Sequence, residues 1–248
     1  MGTSSSHRGN KDKKGLLPSD YVKPIVSWQT TKTGFSKYIN GNGGSIKKTA
    51  SNYIKSSGGA GQLLKSSSSG IRATANISKL FSGIQRDGYE KTFENLGIEY
   101  QGKSAKEICS DLVNYVSAPS TSKEDAVARE AAINAMSKIY QFIESNGLDI
   151  KALDKIDNDL MDEVVGTYVE CYIWGRILNE LEYCLEKNSD DIERTLQIED
   201  EMKSYISNVV DVAFHSVGMR EKIFGNKTIS EGVEELYKKC YSALEDMR

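Results

Sequence analysis

The sequence predicts an all-α protein, a bundle of about seven helices preceded by a long basic arm that is rich in Gly and Ser. From Ile71 onward, apolar residues recur every three or four positions, which is the spacing of one face of a helix. No window shows sustained alternation of apolar and polar residues between hairpin turns, as an antiparallel sheet would. The three prolines all precede residue 120, so they interrupt none of the later helices. We therefore expect an extended or disordered arm, residues 1–70, and an acidic all-helical domain, residues 71–248.

The arm is predicted from its composition. Runs of Gly and Ser occupy residues 41–44, 58–61 and 66–70, and apolar residues between them are isolated. Such a segment is expected to bury too little apolar surface to offset the entropy lost on ordering. Trp28 and Phe35 are large enough that exposing them is unfavourable. The sequence leaves open whether they fold back on the helical domain or contact a partner.

The first helices of the domain follow from periodicity and from capping residues. A stripe over residues 71–84 predicts one helix, and a short second helix ends at Gly97. Residues 104–107, Ser-Ala-Lys-Glu, have the spacing of a capping box and open a third helix. Pro119 ends that helix, because proline disfavours helical backbone in the residue before it.

The later helices are predicted in the same way. Ser122 caps a helix that ends near Gly147, and a long helix carries its apolar stripe over residues 160–185. Ser189 is expected to start the next helix. Residues 228–231, Thr-Ile-Ser-Glu, have the spacing of a second capping box, which opens the last helix.

Charge is distributed unevenly along the chain. Residues 1–86 carry 14 Lys and Arg against two acidic residues, whereas the remainder carries 18 Lys and Arg against 33 Asp and Glu. The net charge of −3 therefore combines a basic N-terminal part with an acidic remainder. The four cysteines form no Cys-x-x-Cys pair and lie far from both histidines, which excludes the usual zinc spacings and is typical of buried thiols in a reducing compartment.

Neither a membrane nor a secretory pathway is indicated. No apolar run approaches the roughly 18 residues that span a bilayer, and the N-terminus lacks the apolar core of a signal peptide. We expect a cytoplasmic protein without membrane contact.

The chain offers no recognisable catalytic constellation in its sequence. The glycine-rich residues 41–48 lack the spacing of a phosphate-binding loop, and no strand precedes them. His215 stands alone late in a helix, and the acidic run at 199–201 has the character of a solvated helix face. The sequence therefore predicts a non-enzymatic binding and positioning module, with no cofactor or metal of its own.

The N-terminal tip is the most reactive candidate. A small second residue favours removal of Met1, which leaves Gly2 with an unhindered α-amine whose ordinary pKa is about 8. We predict Gly2 as a modification site and a set of neighbouring residues as partner-binding: Thr3, Ser4, Ser5, Ser6, Leu17 and Pro18. The alternative is an ordinary frayed terminus.

The basic arm has three interpretations. The first is nucleic-acid binding, in which lysines neutralise phosphates: Lys11, Lys13, Lys14, Lys47, Lys48, Lys55 and Lys65. The second is lipid anchoring, because Met1-Gly2 followed by Ser6 fits the N-myristoylation pattern. The third is that the lysines keep the arm soluble and lay it across the acidic domain.

Several segments together resemble a known family. They are residues 1–6, 16–19, 84–88, 96–98, 102–108 and 124–131. In this order they resemble the B components of bacterial Qat anti-phage defence systems, over roughly the first 140 residues, and the acidic helical remainder is similar in character.

The resemblance implies a non-enzymatic component of a four-gene defence operon. Its partners would be a QueC-like enzyme, related to 7-cyano-7-deazaguanine synthase, and possible further members that look like a P-loop ATPase and a TatD-like nuclease. The QueC-like enzyme is expected to use ATP and a 7-deazaguanine precursor, and to attach a nucleobase-type group to Gly2. The alternative function is a nucleic-acid-binding adaptor that uses the basic arm.

Overall fold

The computed structural model describes residues 24–188, 192–225 and 228–246, and every regular element in these ranges is a helix. The predicted all-α fold is confirmed. The predicted helix start at Ser189 lies outside the described residues. A 3-10 helix, Ile150–Lys155, accompanies the α-helices, which are α1 Trp28–Ile39, α2 Ile46–Ser56, α3 Ala60–Lys65, α4 Ser68–Asp87, α5 Tyr89–Leu96, α6 Ala105–Val116, α7 Lys123–Ser145, α8 Asn158–Asn188, α9 Ile192–Phe214, α10 Met219–Phe224 and α11 Ile229–Glu245.

Three of these helices, α1 to α3, lie where an extended arm was predicted. Phe35, Tyr53 and Ile54 are buried in the same continuous core as the later helices, and the Trp28 ring packs edge-on against Tyr53 with 5.8 Å between centroids. The arm prediction is therefore wrong for residues 28–65. For residues 1–23 it lies outside the described residues.

Buried hydroxyl groups explain why composition was misleading here. The Thr31 hydroxyl lies 2.6 Å from the Ser56 hydroxyl and donates to the Asn52 carbonyl oxygen at 3.2 Å. Ser67 and Tyr241 hydroxyls are 2.8 Å apart inside the core. A small side chain whose hydroxyl finds a partner can be buried at little cost, so the few large apolar residues are enough to anchor α1 to α3.

The longest helix, α8, lies at the centre of the bundle. Its buried residues include Val165, Tyr168, Ile173, Leu181 and Leu185, which point in several directions around the axis, as expected of an internal helix. It packs against α1, α4, α7 and α9.

Two of the predicted helix caps are confirmed and one is wrong. Ser104 and Glu107 form the reciprocal capping box of α6, and the Ser122 hydroxyl caps α7. The predicted box at 228–231 does not form. The Thr228 hydroxyl donates instead to the carbonyl oxygen of Lys222 at 3.1 Å, so α11 begins without a side-chain cap.

Three other helices are capped by carboxylates from distant parts of the chain. The residues immediately before α3, α4 and α5 supply no side-chain cap. Carboxylate oxygens accept the first backbone N–H groups instead: Glu245 from Ala60 at 3.1 Å, Glu124 from Ser69 at 2.8 Å and Asp154 from Tyr89 at 2.8 Å. Negative charge at a helix N-terminus is stabilising, so the acidic remainder fixes the start of each of these helices.

Candidate functional site in the α1–α2 groove

The residues predicted to form the site lie outside the described residues: Gly2, Thr3, Ser4, Ser5, Ser6, Leu17 and Pro18. The structure instead locates the point at which the N-terminal segment joins the folded body. Pro24 to Val26 precede α1, and Ile25 is exposed. The Ser27 hydroxyl caps α1 by accepting the backbone N–H of Thr30 at 3.1 Å.

An open groove of about 560 Å³ lies beside this point, between α1, α2 and the loop that joins them. The residues that line it are polar residues or glycines, and several of the side chains carry a hydroxyl or an amide: Gln29, Thr30 and Thr33 on α1, and Thr49 and Asn52 on α2. These groups can donate to or accept from a polar ligand. The groove is therefore suited to a hydrated, polar partner surface.

The loop that closes the groove depends on glycine. Gly41, Gly43 and Gly44 have φ angles of 67°, 97° and 101°, a left-handed region that other residues rarely adopt. A Cβ atom on Gly44 would lie 3.3 Å from both the Gly34 carbonyl oxygen and the Tyr38 Cβ. The loop thus lies directly against α1, which fixes the shape of the groove.

The groove carries positive charge. Lys37 and Lys48 line it and are exposed, and no lining residue is acidic. The sequence contains no Asp or Glu between residues 21 and 86. Beside the groove, on α9, Glu201 accepts a hydrogen bond from the Tyr38 hydroxyl, and the Arg194 guanidinium lies 5.4 Å from the Tyr38 ring centroid. Burial and this carboxylate raise the pKa of Tyr38, so its phenol remains a neutral donor.

A second polar cluster, at the junction of α4, α7 and α8, is enclosed rather than open. Arg176 donates to the Tyr172 hydroxyl at 3.0 Å and to the Ser66 carbonyl oxygen at 2.9 Å. The Tyr172 hydroxyl donates to Glu124 at 2.8 Å, and burial raises the pKa of Tyr172 well above its ordinary value. Within the described ranges, the hydroxyl of buried Tyr168 has no hydrogen-bond partner. This cluster joins helices and presents no reactive group to solvent.

A third region, between α8 and α9, is acidic. A groove of about 370 Å³ is lined by carboxylates that include Asp159, Glu163 and Glu170. Asp162, also in this groove, accepts from the Arg220 guanidinium at 2.9 Å, although burial is the larger influence and raises the pKa of Asp162. His215 is exposed at one end.

The described ranges offer neither a metal centre nor a membrane-spanning helix. No group of three or more His, Cys, Asp or Glu side chains is arranged there to hold a metal ion. In the same part of the chain, no helix combines the length and the apolar character needed to cross a bilayer.

Sequence reasoning missed the groove because it assigned α1 and α2 to the arm. A signal was present in α2, where Ile46, Ala50, Tyr53 and Ile54 have helical spacing. The Gly-rich residues 41–44 would then have indicated a tight connection between two helices.

Comparison with known proteins gives one family. A family model described as Qat anti-phage system associated protein QatB matches residues 58–244, which is about three quarters of the chain. Neither the curated proteins nor the solved structures contain a match. The matched range covers α3 to α10 and nearly all of α11, and the groove lies before it.

Proposed function

Because the chain belongs to the family of Qat anti-phage system associated protein QatB, we propose that it is a non-enzymatic component of that defence system, which binds a QueC-like enzyme and presents Gly2 to it for modification. Further members of the system, a P-loop ATPase and a TatD-like nuclease, are proposed as additional partners. ATP and a 7-deazaguanine precursor would be bound by the QueC-like enzyme and not by this chain. We place the assembly in the cytoplasm.

The proposed reaction is acyl transfer to an amine. The enzyme would join the carboxylate of the deazapurine precursor to AMP, releasing pyrophosphate from ATP. The uncharged α-amine of Gly2 would attack the carbonyl carbon, forming an amide bond and breaking the bond to AMP, which leaves with the electron pair. The amine proton passes to solvent or to a base of the enzyme. An α-amine is suited to this step because it deprotonates about two pH units below a lysine side chain.

The observation that carries the proposal is the family match, and the fold supports it through the position of α1. The residues from Gly2 to Val26 precede α1, which is anchored in the core through Phe35. The 22 residues from Gly2 to Lys23 span at most about 75 Å, whatever their conformation. The enzyme's active site must therefore lie within that distance of Pro24, a tighter limit than a 70-residue arm would set.

Intact mass after co-expression with the neighbouring genes tests the proposal. We expect a mass gain that maps to the first tryptic peptide, residues 2–8, and that requires the QueC-like protein. The Gly2→Pro variant, whose secondary amine is hindered, should show no gain, whereas Gly9→Ala should be modified like the wild type. An unmodified peptide 2–8 in every co-expressed preparation would contradict the proposal.

Nucleic-acid binding is the second candidate function. It is favoured by the exposed lysines Lys37, Lys47 and Lys48, which lie in a part of the chain without acidic residues. Phosphate contacts predict that affinity falls steeply as salt increases. A mobility-shift assay between 50 and 200 mM salt measures this dependence, and a flat or absent response would exclude the function.

A further inference from the structure

We propose that the α1–α2 groove is a docking site for an acidic segment of the enzyme that acts on the N-terminal segment. The inference rests on the proposed function, and it adds the surface that holds the two proteins together. It is carried by the position of the groove, its charge and its rigidity.

The groove lies where docking would be most effective. Gln29 and Thr30 line it, and both lie within the first turn of α1, directly after Ser27. A partner seated there is next to the residues from which the N-terminal segment departs. Holding two reacting groups on one assembly raises their effective concentration, as long as the connection can span the distance. A short connection therefore gains most from a docking site at its base.

The charge of the groove identifies the partner's chemistry. Lys37 and Lys48 line it without an acidic neighbour among the lining residues, and the described salt bridges involve neither lysine. Each ammonium group offers three donors to a carboxylate. The hydroxyl and amide groups beside them can complete the hydrogen bonds of an acidic peptide segment.

A protein segment fits this surface better than a nucleic acid does. Beyond the groove, at Tyr38, the α9 side chains carry mixed charge: Glu201 accepts the Tyr38 hydroxyl, Asp200 lies beside Glu201, and the Arg194 guanidinium lies 5.4 Å from the Tyr38 ring centroid. A long polyanion that followed α1 past the groove would therefore meet two carboxylates and one guanidinium, a less favourable surface than the groove itself. A short acidic segment held within the groove contacts the lysines alone.

The groove is also formed in advance. The backbone N–H groups of Gly41 and Asn42 donate to the carbonyl oxygens of Tyr38 and Lys37 at 3.1 and 2.8 Å and hold the loop against the end of α1. The Ser45 hydroxyl caps α2 by accepting the N–H of Lys48 at 3.2 Å. A preorganised surface loses less conformational entropy when a partner binds. The docking energy is therefore not spent on ordering the loop.

Charge reversal tests the inference with the full-length chain and the purified QueC-like protein of the same operon. In isothermal titration calorimetry, Lys37→Glu/Lys48→Glu should weaken binding at least about tenfold. The matched control is Lys65→Glu/Lys106→Glu, which makes the same charge change at exposed positions outside the groove and should bind within about twofold of the wild type. Equal affinities for the two double variants, or no binding by the wild type, would overturn the inference.

A second test obstructs the groove with a larger side chain and leaves its charge unchanged. Gly34 lines the groove, and a Cβ atom there would meet only the Asn52 amide nitrogen, at 3.8 Å. Gly34→Ala should therefore fold and bind normally, whereas Gly34→Leu should obstruct the groove and weaken binding by a similar factor. Unchanged binding by Gly34→Leu, with an unchanged thermal midpoint, would overturn the inference.

The experiments distinguish failure of the docking site from failure of the proposed Gly2 modification. If peptide 2–8 of the wild type is never modified but the groove variants lose binding, the docking site stands and the modification fails. If Gly2 is modified and the groove variants bind and react like the wild type, the modification stands and the docking site fails. If the groove variants lose affinity for a 30-nucleotide DNA and retain affinity for the enzyme, the inference is overturned in favour of nucleic-acid binding.

Discussion

The Glu124 carboxylate on α7 accepts a hydrogen bond of 2.8 Å from the backbone N–H of Ser69, in the first turn of α4. The same oxygen accepts the Tyr172 hydroxyl of α8 at 2.8 Å. One side chain from the acidic part of the chain thus caps a helix that begins in the basic part and also holds the central helix.

Loss of the Glu124 carboxylate should destabilise the fold. Glu124→Ala removes the cap of α4 and leaves the buried Tyr172 hydroxyl without its acceptor, so we expect the free energy of unfolding to fall by about 2–4 kcal/mol. Glu124→Gln keeps an acceptor oxygen and should lose about half as much. Urea unfolding measures both, with Glu130→Ala, exposed on the same helix, as the control. A Glu124→Ala midpoint equal to that of the control would contradict the role of the cap.

Two helical glycines should respond in opposite directions to alanine. A Cβ atom on Gly70 would lie 2.5 Å from the Tyr172 ring, whereas one on Gly166 would meet nothing within 4 Å. Gly70→Ala should reduce the free energy of unfolding by about 1–3 kcal/mol, because a well-packed core does not accept an added methyl group. Gly166→Ala should raise it by about 0.5–1 kcal/mol through helix propensity. Thermal unfolding of the pair tests the close approach of α4 and α8, and equal effects would contradict it.

Asp125 should make stability depend on pH in the acid range. The hydroxyls of Ser69, Thr121 and Ser122 donate to its carboxylate at 2.6, 2.8 and 2.9 Å and hold its pKa well below the ordinary value. The folded state therefore keeps Asp125 ionised where the unfolded state binds a proton. Its contribution is complete above the unfolded pKa of about 3.9 and is lost as pH falls toward the folded pKa.

The measurement is the thermal midpoint of the wild type and of Asp125→Asn between pH 6 and pH 2. The difference in midpoint should be largest at pH 6 and should shrink below about pH 4. Ser69→Ala removes the shortest of the three hydrogen bonds and should reduce this pH dependence. A difference that stays constant from pH 6 to pH 2 would show that the hydroxyl groups do not stabilise the charged form.

The sequence was informative where apolar spacing and local caps determine structure. The stripe over residues 160–185 falls within α8, and the predicted capping box of Ser104 and Glu107 is formed. Composition failed for α1 to α3, because Gly and Ser content does not show whether hydroxyls are satisfied inside a core. The cap of α4 was also unpredictable, since Glu124 lies 55 residues beyond Ser69.

The candidate site, too, could be predicted from the sequence only in part. The predicted residues at the N-terminal tip remain a prediction, because Gly2 and its neighbours lie outside the described residues. The groove could not be predicted without knowing that α1 and α2 pack together. Lys37 and Lys48 belong to different helices, and only the turn at residues 41–44 places them in one groove.

The assignment of residues 28–65 to the core, rather than to an arm, can be tested at one position. Phe35 on α1 is 1% exposed and belongs to the central cluster, whereas Ile25, ten residues earlier, is 88% exposed. Phe35→Ala should lower the free energy of unfolding by about 3–5 kcal/mol, the range for removing a buried aromatic ring. Ile25→Ala should change it by less than about 0.5 kcal/mol. Urea unfolding of the two variants decides whether residues 28–65 are packed in the core or form an arm. In an arm that does not pack on the domain, both substitutions would leave the midpoint unchanged, whereas a folded α1 requires that only the Phe35 variant move it.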